Sequence, residues 1–261
     1  MNISIEKQID ILSKDYDSGS TDIAVKALNI LSAAFLDENA ERLAGVRDRI
    51  IRAKPAMAAV ANLAKIAYET FSDCTTNDDI RQKTDEIRKK IKKASADAVD
   101  NAVNELPGHD LNVVTCSYSS AVIRFFRELN KAGRLNTVYA VSSIWQEKDY
   151  ALSIKEECDN LNIKCEIIKK HDLESIAHNA HFALTGADMI SPEYLINGAP
   201  SIWLAERAKT HFPYYVIAES YKFAECVPDI GHGFEVIPRS FVKNIFTDNF
   251  GLNTADNDFF N

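Results

Sequence analysis

The pattern of apolar residues changes at Pro107-Gly108, and this change constrains the fold more than any other feature of the chain. Before it, apolar residues recur at helical spacing, which predicts an N-terminal helical domain over residues 1–106. After it, short apolar runs alternate with helical stretches. Such alternation predicts a mainly parallel sheet with helices on both faces. We therefore expect an α/β protein in which residues 107–261 form a doubly wound, Rossmann-like domain.

Single residues indicate where two of the N-terminal helices begin. Pro55 is predicted to open a helix, because proline is favoured at the first helical position. Thr76 can cap a last, charged helix that runs from about residue 78 to residue 106. The basic run 88–93 of that helix lies between acidic residues, which is typical of a solvated face rather than a nucleic-acid patch.

The ends of the predicted strands indicate where a ligand would bind. The strands are expected at residues 111–115, 137–142, 163–168, 182–185, 214–218 and 242–247. Ligands of open parallel sheets bind at the carboxyl ends of the strands. The residues to search are therefore those that follow four of the strands, namely 116–120, 142–145, 186–188 and 219–222.

The stretch 111–126 combines an apolar strand, a short hydroxyl-rich turn and an apolar helix face. A helix that begins after such a turn offers free backbone N–H groups and hydroxyls to an anion such as phosphate. The stretch is neither a P-loop nor a dinucleotide fingerprint, because it lacks the glycines of both. The plainer alternative is a helix start capped by Ser117 or Ser119.

Composition and charge narrow the classes of function. The net charge of −8 over 261 residues argues against a direct nucleic-acid binder. The apolar runs are too short for a membrane span, and the N-terminus lacks a signal layout, so we expect a cytoplasmic protein without membrane contact. Five cysteines without a Cys-x-x-Cys pair suggest neither a disulfide framework nor zinc. The sequence indicates no metal and no cofactor.

Six segments, in order along the chain, match the motifs of one family. They are 18–24, 53–60 (AKPAMAAV), 114–122 (VTCSYSSAV), 185–188 (TGAD), 216–223 (VIAESYKF) and 234–248. Together they resemble the superfamily of the translation initiation factor 2B α, β and δ subunits. That superfamily also contains ribose-1,5-bisphosphate isomerase and methylthioribose-1-phosphate isomerase.

The resemblance implies roles for individual residues. Asp188 falls on the acid of the isomerases, Ser117 on their catalytic cysteine, and Cys116 on the histidine before it, so these three are the candidate catalytic residues. The candidate ligand-binding residues that it implies are Gly19, Ser20, Lys54, Ser119, Ser120, Gly186, Asn197 and Lys222.

The chain departs from the isomerases at positions that matter for chemistry. A serine hydroxyl is too weak an acid to replace a thiol without a base beside it. The lysine of the family's Asn-Lys pair is Gly198, and the arginine expected near Ile144 is absent, so two phosphate cations are lost. We therefore favour a factor-2B-like regulatory or binding protein with a degenerate sugar-phosphate or nucleotide pocket. The alternative is an aldose-phosphate isomerase of the ribose-1,5-bisphosphate or methylthioribose-1-phosphate type.

Plainer interpretations of single residues stay open at this point. Asp188 could cap the turn before Ser191-Pro192, Lys222 could be a surface lysine, and Gly19 could be only a turn glycine.

The expected partners follow from the resemblance and from apolar segments. The resemblance implies a homodimer, and the segments 202–204 and 259–260 are apolar enough to support one if they are exposed. A phosphorylated small molecule is the expected ligand. Contact with a translation factor is implied by the resemblance alone.

Overall fold

A computed structural model of the protein describes residues 3–37, 43–145, 148–225 and 230–248. Its first part consists of helices α1 Ile5–Ser13, α2 Ser20–Leu36, α3 Leu43–Ala53, α4 Ala58–Ser72 and α5 Asn77–Glu105. No strand occurs among the described residues before Leu111. Buried apolar side chains of all five helices share one core, as the helical periodicity predicted.

One of the two predicted helix starts is confirmed and the other is wrong. The Thr76 hydroxyl accepts a hydrogen bond from the Asp79 amide at 3.1 Å, and the Asp79 carboxylate accepts one from the Thr76 amide at 2.9 Å. This reciprocal pair satisfies two amides at the start of α5. Helix α4 begins at Ala58 rather than at Pro55. The Met57 amide donates to the Lys54 carbonyl at 3.1 Å, so Pro55 lies inside a turn that precedes the helix.

Strands and helices alternate after Leu111. In chain order they are β1 Leu111–Thr115, α6 Ser120–Lys131, β2 Leu135–Val141, β3 Ile144–Trp145, β4 Lys148–Asp149, α7 Tyr150–Asn160, β5 Cys165–Ile168, α8 Leu173–Ile176, β6 Phe182–Thr185, β7 Met189–Ile190, β8 Tyr194–Gly198, α9 Ser201–His211, β9 Tyr214–Ile217, β10 Phe234–Pro238 and β11 Asn244–Phe246. Each of the six predicted strands overlaps a strand of the main sheet.

The main sheet has the order β5-β2-β1-β6-β9-β11, and every pair in it is parallel. The chain builds outward from β1 in one direction and then returns to continue from β6 in the other. Helices α6 and α7 pack on one face, and α9 packs on the other. This is the doubly wound arrangement that the sequence predicted, and its switch point lies between β1 and β6.

A second, antiparallel sheet of order β10-β8-β7 was not predicted. Strand β8 pairs with both neighbours, and Asn197 of β8 faces Glu235 of β10 in register. Met189 and Ile196 of this sheet pack against Ala56 and Ala58 at the start of α4. The small sheet thereby joins the helices of the first part to the end of β6.

Helix α5 belongs to two cores at once. Its first half places Ile80, Ile87 and Ile91 in the core of the helices, whereas Ala98 and Ala102 lie in the core beneath β1. The division into domains at residues 106 and 107 therefore stays a prediction, because packing is shared along this helix.

The apolar segment 202–204, considered for dimer formation, is only partly accessible. Leu204 is fully buried, and Ile202 and Trp203 are half-buried against the core under α9. Residues 259 and 260 lie outside the described residues. Among the described helices, none combines the length and the apolar character that a membrane span needs.

Candidate functional site

A cleft of about 100 Å³ lies at the switch point of the main sheet, where β1 and β6 end. The first part of the chain contributes its opposite wall. The cleft is lined by residues 15–21, Lys54, Met57, 117–120, Tyr150, 186–188, 197–199, Lys222 and 232–234. All of the predicted ligand-binding residues lie in this lining, together with Ser117 and Asp188. Their roles stay a prediction, but the structure brings them to one place.

Ser117 occupies the turn after β1 with a positive φ of 57°. This left-handed conformation is uncommon for serine, and such residues concentrate at functional sites. The Ser117 hydroxyl accepts a hydrogen bond from the Asn197 side-chain amide at 3.1 Å, and the same amide donates to the Ser201 hydroxyl at 2.8 Å. The Asn197 amide of β8 therefore fixes the Ser117 hydroxyl, which the resemblance places at the position of the isomerases' catalytic cysteine.

The serine side chain at the start of α6 does not cap the helix. Ser119 is the N-cap residue, but its side chain makes no capping hydrogen bond. Its hydroxyl instead lies beside Gly186, where a Cβ added to the glycine would approach the Ser119 oxygen to 2.5 Å. The plainer alternative of a side-chain cap is thus wrong for Ser119, and the close approach of the two turns explains the glycine after β6.

Asp188 lies half-buried on the turn after β6. Burial raises the pKa of its carboxyl to about 6, although the Lys222 charge and a hydrogen bond from Ser20 oppose the rise. Its backbone carbonyl accepts a hydrogen bond from the Ala58 amide at 3.0 Å, which ties the start of α4 to the cleft. The turn that contains Pro192 is closed by hydrogen bonds between Ser191 and Tyr194, in which Asp188 takes no part.

Lys222 is buried rather than a surface lysine. Its ammonium lies 2.8 Å from Glu219 Oε2, and the two side chains are 4% and 0% exposed. Burial would raise the pKa of Glu219, but the Lys222 charge and hydrogen bond hold it below its usual value. The Thr21 hydroxyl donates to the other Glu219 oxygen at 3.3 Å. One cation of the cleft is therefore already neutralised.

Lys54 is also committed to a contact within the protein. Its ammonium donates to the Asp15 carbonyl at 2.6 Å and lies 4.4 Å from the centre of the Tyr16 ring. Burial lowers the pKa of Lys54, and the Asp15 charge opposes the change. This lysine holds the turn that precedes Gly19 against the cleft.

Cys116 does not line the cleft, so the structure does not bring it together with the other two candidate catalytic residues. Its side chain is fully buried in the core under α9, where Sγ lies 3.6 Å from the Ser201 hydroxyl. Burial raises the pKa of this thiol to about 12. Ser117 lines the cleft, whereas Cys116 is buried in the core, so the two side chains lie on different sides of the chain.

Several residues of the site were not predicted. Tyr150 donates from its hydroxyl to the Tyr16 carbonyl at 3.1 Å, and His232 lines the cleft beside Gly233. Neither follows a strand of the main sheet, so the strand-end rule could not find them. Glu219 directly follows β9 and lay within the region to be searched, but only its buried position reveals that it pairs with Lys222.

The described His, Cys, Asp and Glu side chains do not form a metal site. Within residues 3–37, 43–145, 148–225 and 230–248, no three His, Cys, Asp or Glu side chains are grouped as metal ligands.

Comparison with known proteins gives the family. Residues 17–253 match the model of the initiation factor 2 subunit family, IF-2B. The chain belongs to this family. The resemblance inferred from the six segments is therefore confirmed. The IF-2B match covers both the helical part and the α/β part of the chain.

Individual IF-2B relatives agree with this assignment. A Pyrococcus abyssi protein named as translation initiation factor eIF-2B subunit 2-like is 27% identical over 239 residues, covering 84% of this chain and 82% of the relative. The structure of Pyrococcus horikoshii translation initiation factor eIF-2B has a TM-score of 0.82 at 20% identity, covering 95% and 96% of the two chains. A tetrameric eIF2B β2δ2 complex from Chaetomium thermophilum has a TM-score of 0.77 at 17% identity, covering 94% and 88%. These structures share the fold of this chain.

Proposed function

We propose that this IF-2B family member is a cytoplasmic regulatory or binding protein whose cleft holds a phosphorylated small molecule without converting it. The observation that carries the proposal is that both lysines of the cleft contact groups of the protein itself, which makes phosphate binding weak. Lys222 is paired with Glu219 at 2.8 Å, and Lys54 donates to the Asp15 carbonyl at 2.6 Å. A phosphate would have to compete with both contacts.

The negative charges around the cleft add to this argument. Asp15 lines the cleft. Burial would raise the pKa of its carboxyl, but hydrogen bonds from Lys26 and Ser18 lower that pKa to about 2. Asp15 is therefore ionised at neutral pH. Gly198 lines the cleft beside Asn197 and adds no cation. Binding of one phosphate group through the 117–120 turn is therefore expected to be weak, and binding of a bisphosphate weaker than in an isomerase.

The serine at position 117 argues against turnover. General acid–base or nucleophilic use of a hydroxyl needs a base within hydrogen-bonding distance. Among the described residues, the hydrogen-bond partner of the Ser117 hydroxyl is the Asn197 amide, which cannot accept a proton at neutral pH. The thiol of Cys116 faces the opposite side of the chain.

One observation favours the isomerase alternative. The pKa of Asp188 is raised to about 6, within the range in which a carboxyl group can take and return a proton at neutral pH. We retain this second candidate because proton transfer between neighbouring carbons needs such a group.

Calorimetric titration with ribose 5-phosphate tests the binding proposal. The double variant Glu219→Gln/Lys222→Met removes the buried pair together and so leaves no unpaired charge. We expect weak binding to the wild type and at least a threefold loss in this variant, because a phosphate that displaces Glu219 would contact the Lys222 ammonium, which the variant lacks. Glu174→Gln/Arg207→Met removes an exposed pair outside the cleft and is the matched control. Equal affinity in both double variants would reject the cleft as the site.

We also propose that the chain self-associates as a homodimer. The support comes from the family and from the naming of a solved relative as a β2δ2 complex. Exposed apolar side chains at Ile144 and Leu152, which are 73% and 61% accessible, give a surface that such contact could cover. Light scattering at micromolar concentration should give twice the mass of one chain, and a mass of one chain would reject the dimer.

A further inference from the structure

A second cavity, here called the basic groove, lies between α2, α5 and α6. Its volume is about 510 Å³, within the range of small-molecule sites. Four cations and two carboxylates line it: Arg88, Lys92, Arg124, Arg127, Asp22 and Glu157. In a chain of net charge −8, a surface with this excess of cations needs an explanation.

The cations are arranged by helix geometry on two facing surfaces. Arg124 and Arg127 are three residues apart on α6, and Arg88 and Lys92 are four residues apart on α5, so each pair shares one helix face. The two faces meet across the groove. Like charges at these spacings repel each other, and an anion placed between them would relieve the repulsion.

Among the described residues, three of the four cations have no partner. Arg88 donates to Asp85 at 2.7 Å and to Asn29. In contrast, Lys92, Arg124 and Arg127 form no hydrogen bond or ion pair with any residue that the structure describes. By comparison, Arg81 and Lys83 of α5 are each paired with a carboxylate on the same helix.

Arg124 is the cation of the basic groove that is best suited to bind phosphate. It is half-buried and lines the cavity, so part of its side chain is packed against the protein. Guanidinium groups recognise phosphate through paired hydrogen bonds, and a restrained one loses less entropy when it does so. The Tyr118 hydroxyl on the same wall donates to Glu157 at 3.4 Å.

We propose that the basic groove is a second anion site, distinct from the cleft, which takes a small polyanion bearing phosphate groups. The groove shares Thr21, Tyr118 and Ser120 with the cleft, so a bound anion would lie next to the turn that begins α6. A nucleic-acid backbone fits less well, because Asp22 and Glu157 lie on the lining and the protein as a whole is negatively charged.

Calorimetric titration with inorganic pyrophosphate at constant ionic strength tests the proposal. We expect binding by the wild type, and a loss of about tenfold or more in Arg124→Gln, because one charge-assisted phosphate contact is removed. Arg127→Gln, at an exposed position, should also weaken binding. The matched control Arg207→Gln, which removes an exposed arginine on α9, should bind as the wild type does.

The outcomes separate the proposal from its competitors. Absence of binding at millimolar pyrophosphate, or equal losses in Arg124→Gln and Arg207→Gln, would overturn it. A loss in Glu219→Gln/Lys222→Met without a loss in Arg124→Gln would place the anion in the cleft and would also overturn it. A single-stranded oligonucleotide that binds more tightly than pyrophosphate and depends on Arg124 would replace it with a nucleic-acid site.

The unfolding temperature of the unliganded variant distinguishes a loss of binding from a folding defect. If the free cations repel one another, unliganded Arg124→Gln should unfold at the same temperature as the wild type or above it. A lower unfolding temperature together with normal pyrophosphate binding would make Arg124 a structural residue and overturn the proposal. If the proposed function of the cleft proved wrong, these results would not change, because Arg124 and Arg127 do not line the cleft.

Discussion

The Lys222 ammonium lies 2.8 Å from a carboxylate oxygen of Glu219, and both side chains are almost fully buried at the edge of the cleft. This pair fixes the turn after β9, where the Asn62 side-chain amide also donates to the carbonyls of Tyr221 and Phe223 at 3.0 and 2.8 Å. Helix α4 therefore holds the same turn from the opposite side. The lysine implied to contact phosphate is at the same time a structural residue.

Removing only the lysine should therefore destabilise the protein strongly. Lys222→Met leaves the Glu219 charge buried without a partner, which typically costs about 3–5 kcal/mol. The double variant Glu219→Gln/Lys222→Met removes both charges and should lose much less. Urea unfolding of the two variants measures the difference, and equal losses would show that the pair is not coupled.

The stability of the protein should depend on pH through Asp188. Burial raises the pKa of this carboxyl in the folded state from 3.8 to about 6, so the folded state holds the proton more tightly than the unfolded state. Stability from this group is present below about pH 4 and is lost as the pH rises through about 6, by about 2–3 kcal/mol in total.

Asp188→Asn removes this dependence, because an amide does not ionise. Relative to the wild type, the variant should gain free energy of unfolding as the pH rises from about 4 to about 7. Asp100→Asn, on the exposed side of α5, controls for the loss of one negative charge. A constant difference between wild type and Asp188→Asn across this range would contradict the raised pKa.

Gly186 should not tolerate a side chain. A Cβ at this position would lie 2.5 Å from the Ser119 hydroxyl, so Gly186→Ala should cost about 1–3 kcal/mol through overpacking. The second change Ser119→Gly should recover part of the loss. Gly45 of α3 has no atom within 4 Å of an added Cβ, and Gly45→Ala should stabilise the helix by about 0.5–1 kcal/mol. Similar effects at both glycines in thermal unfolding would refute the close approach.

The sequence was sufficient to predict the strands of the main sheet and the edge of that sheet at which the cleft lies. Buried parallel strands appear as apolar runs, and the order of runs and helices leaves few topologies. Ser117, Gly186 and Lys222 follow β1, β6 and β9, so the strand-end rule alone predicts that they lie at the same edge of the sheet.

Features that depend on contacts between distant segments could not be predicted in the same way. Strand β8 pairs with β10 across 35 residues of chain, and β7 has only two residues, so no local pattern indicates the small sheet. Lys54 is far from Asp15 in sequence, and only the packing of α1 and α3 brings them together. The sequence could not tell whether the apolar run 202–204 is exposed, and α9 turns Leu204 into the core.

The most direct test of the account is a turnover assay of the purified protein with ribose 1,5-bisphosphate and methylthioribose 1-phosphate. We predict no isomerase activity above background with either substrate. The Ser117 hydroxyl, which the resemblance places at the position of the catalytic cysteine, accepts a hydrogen bond from Asn197, and both cleft lysines are engaged within the protein. Turnover of about one per second, an ordinary enzymatic rate, that is lost in Asp188→Asn would contradict this prediction and establish the isomerase instead.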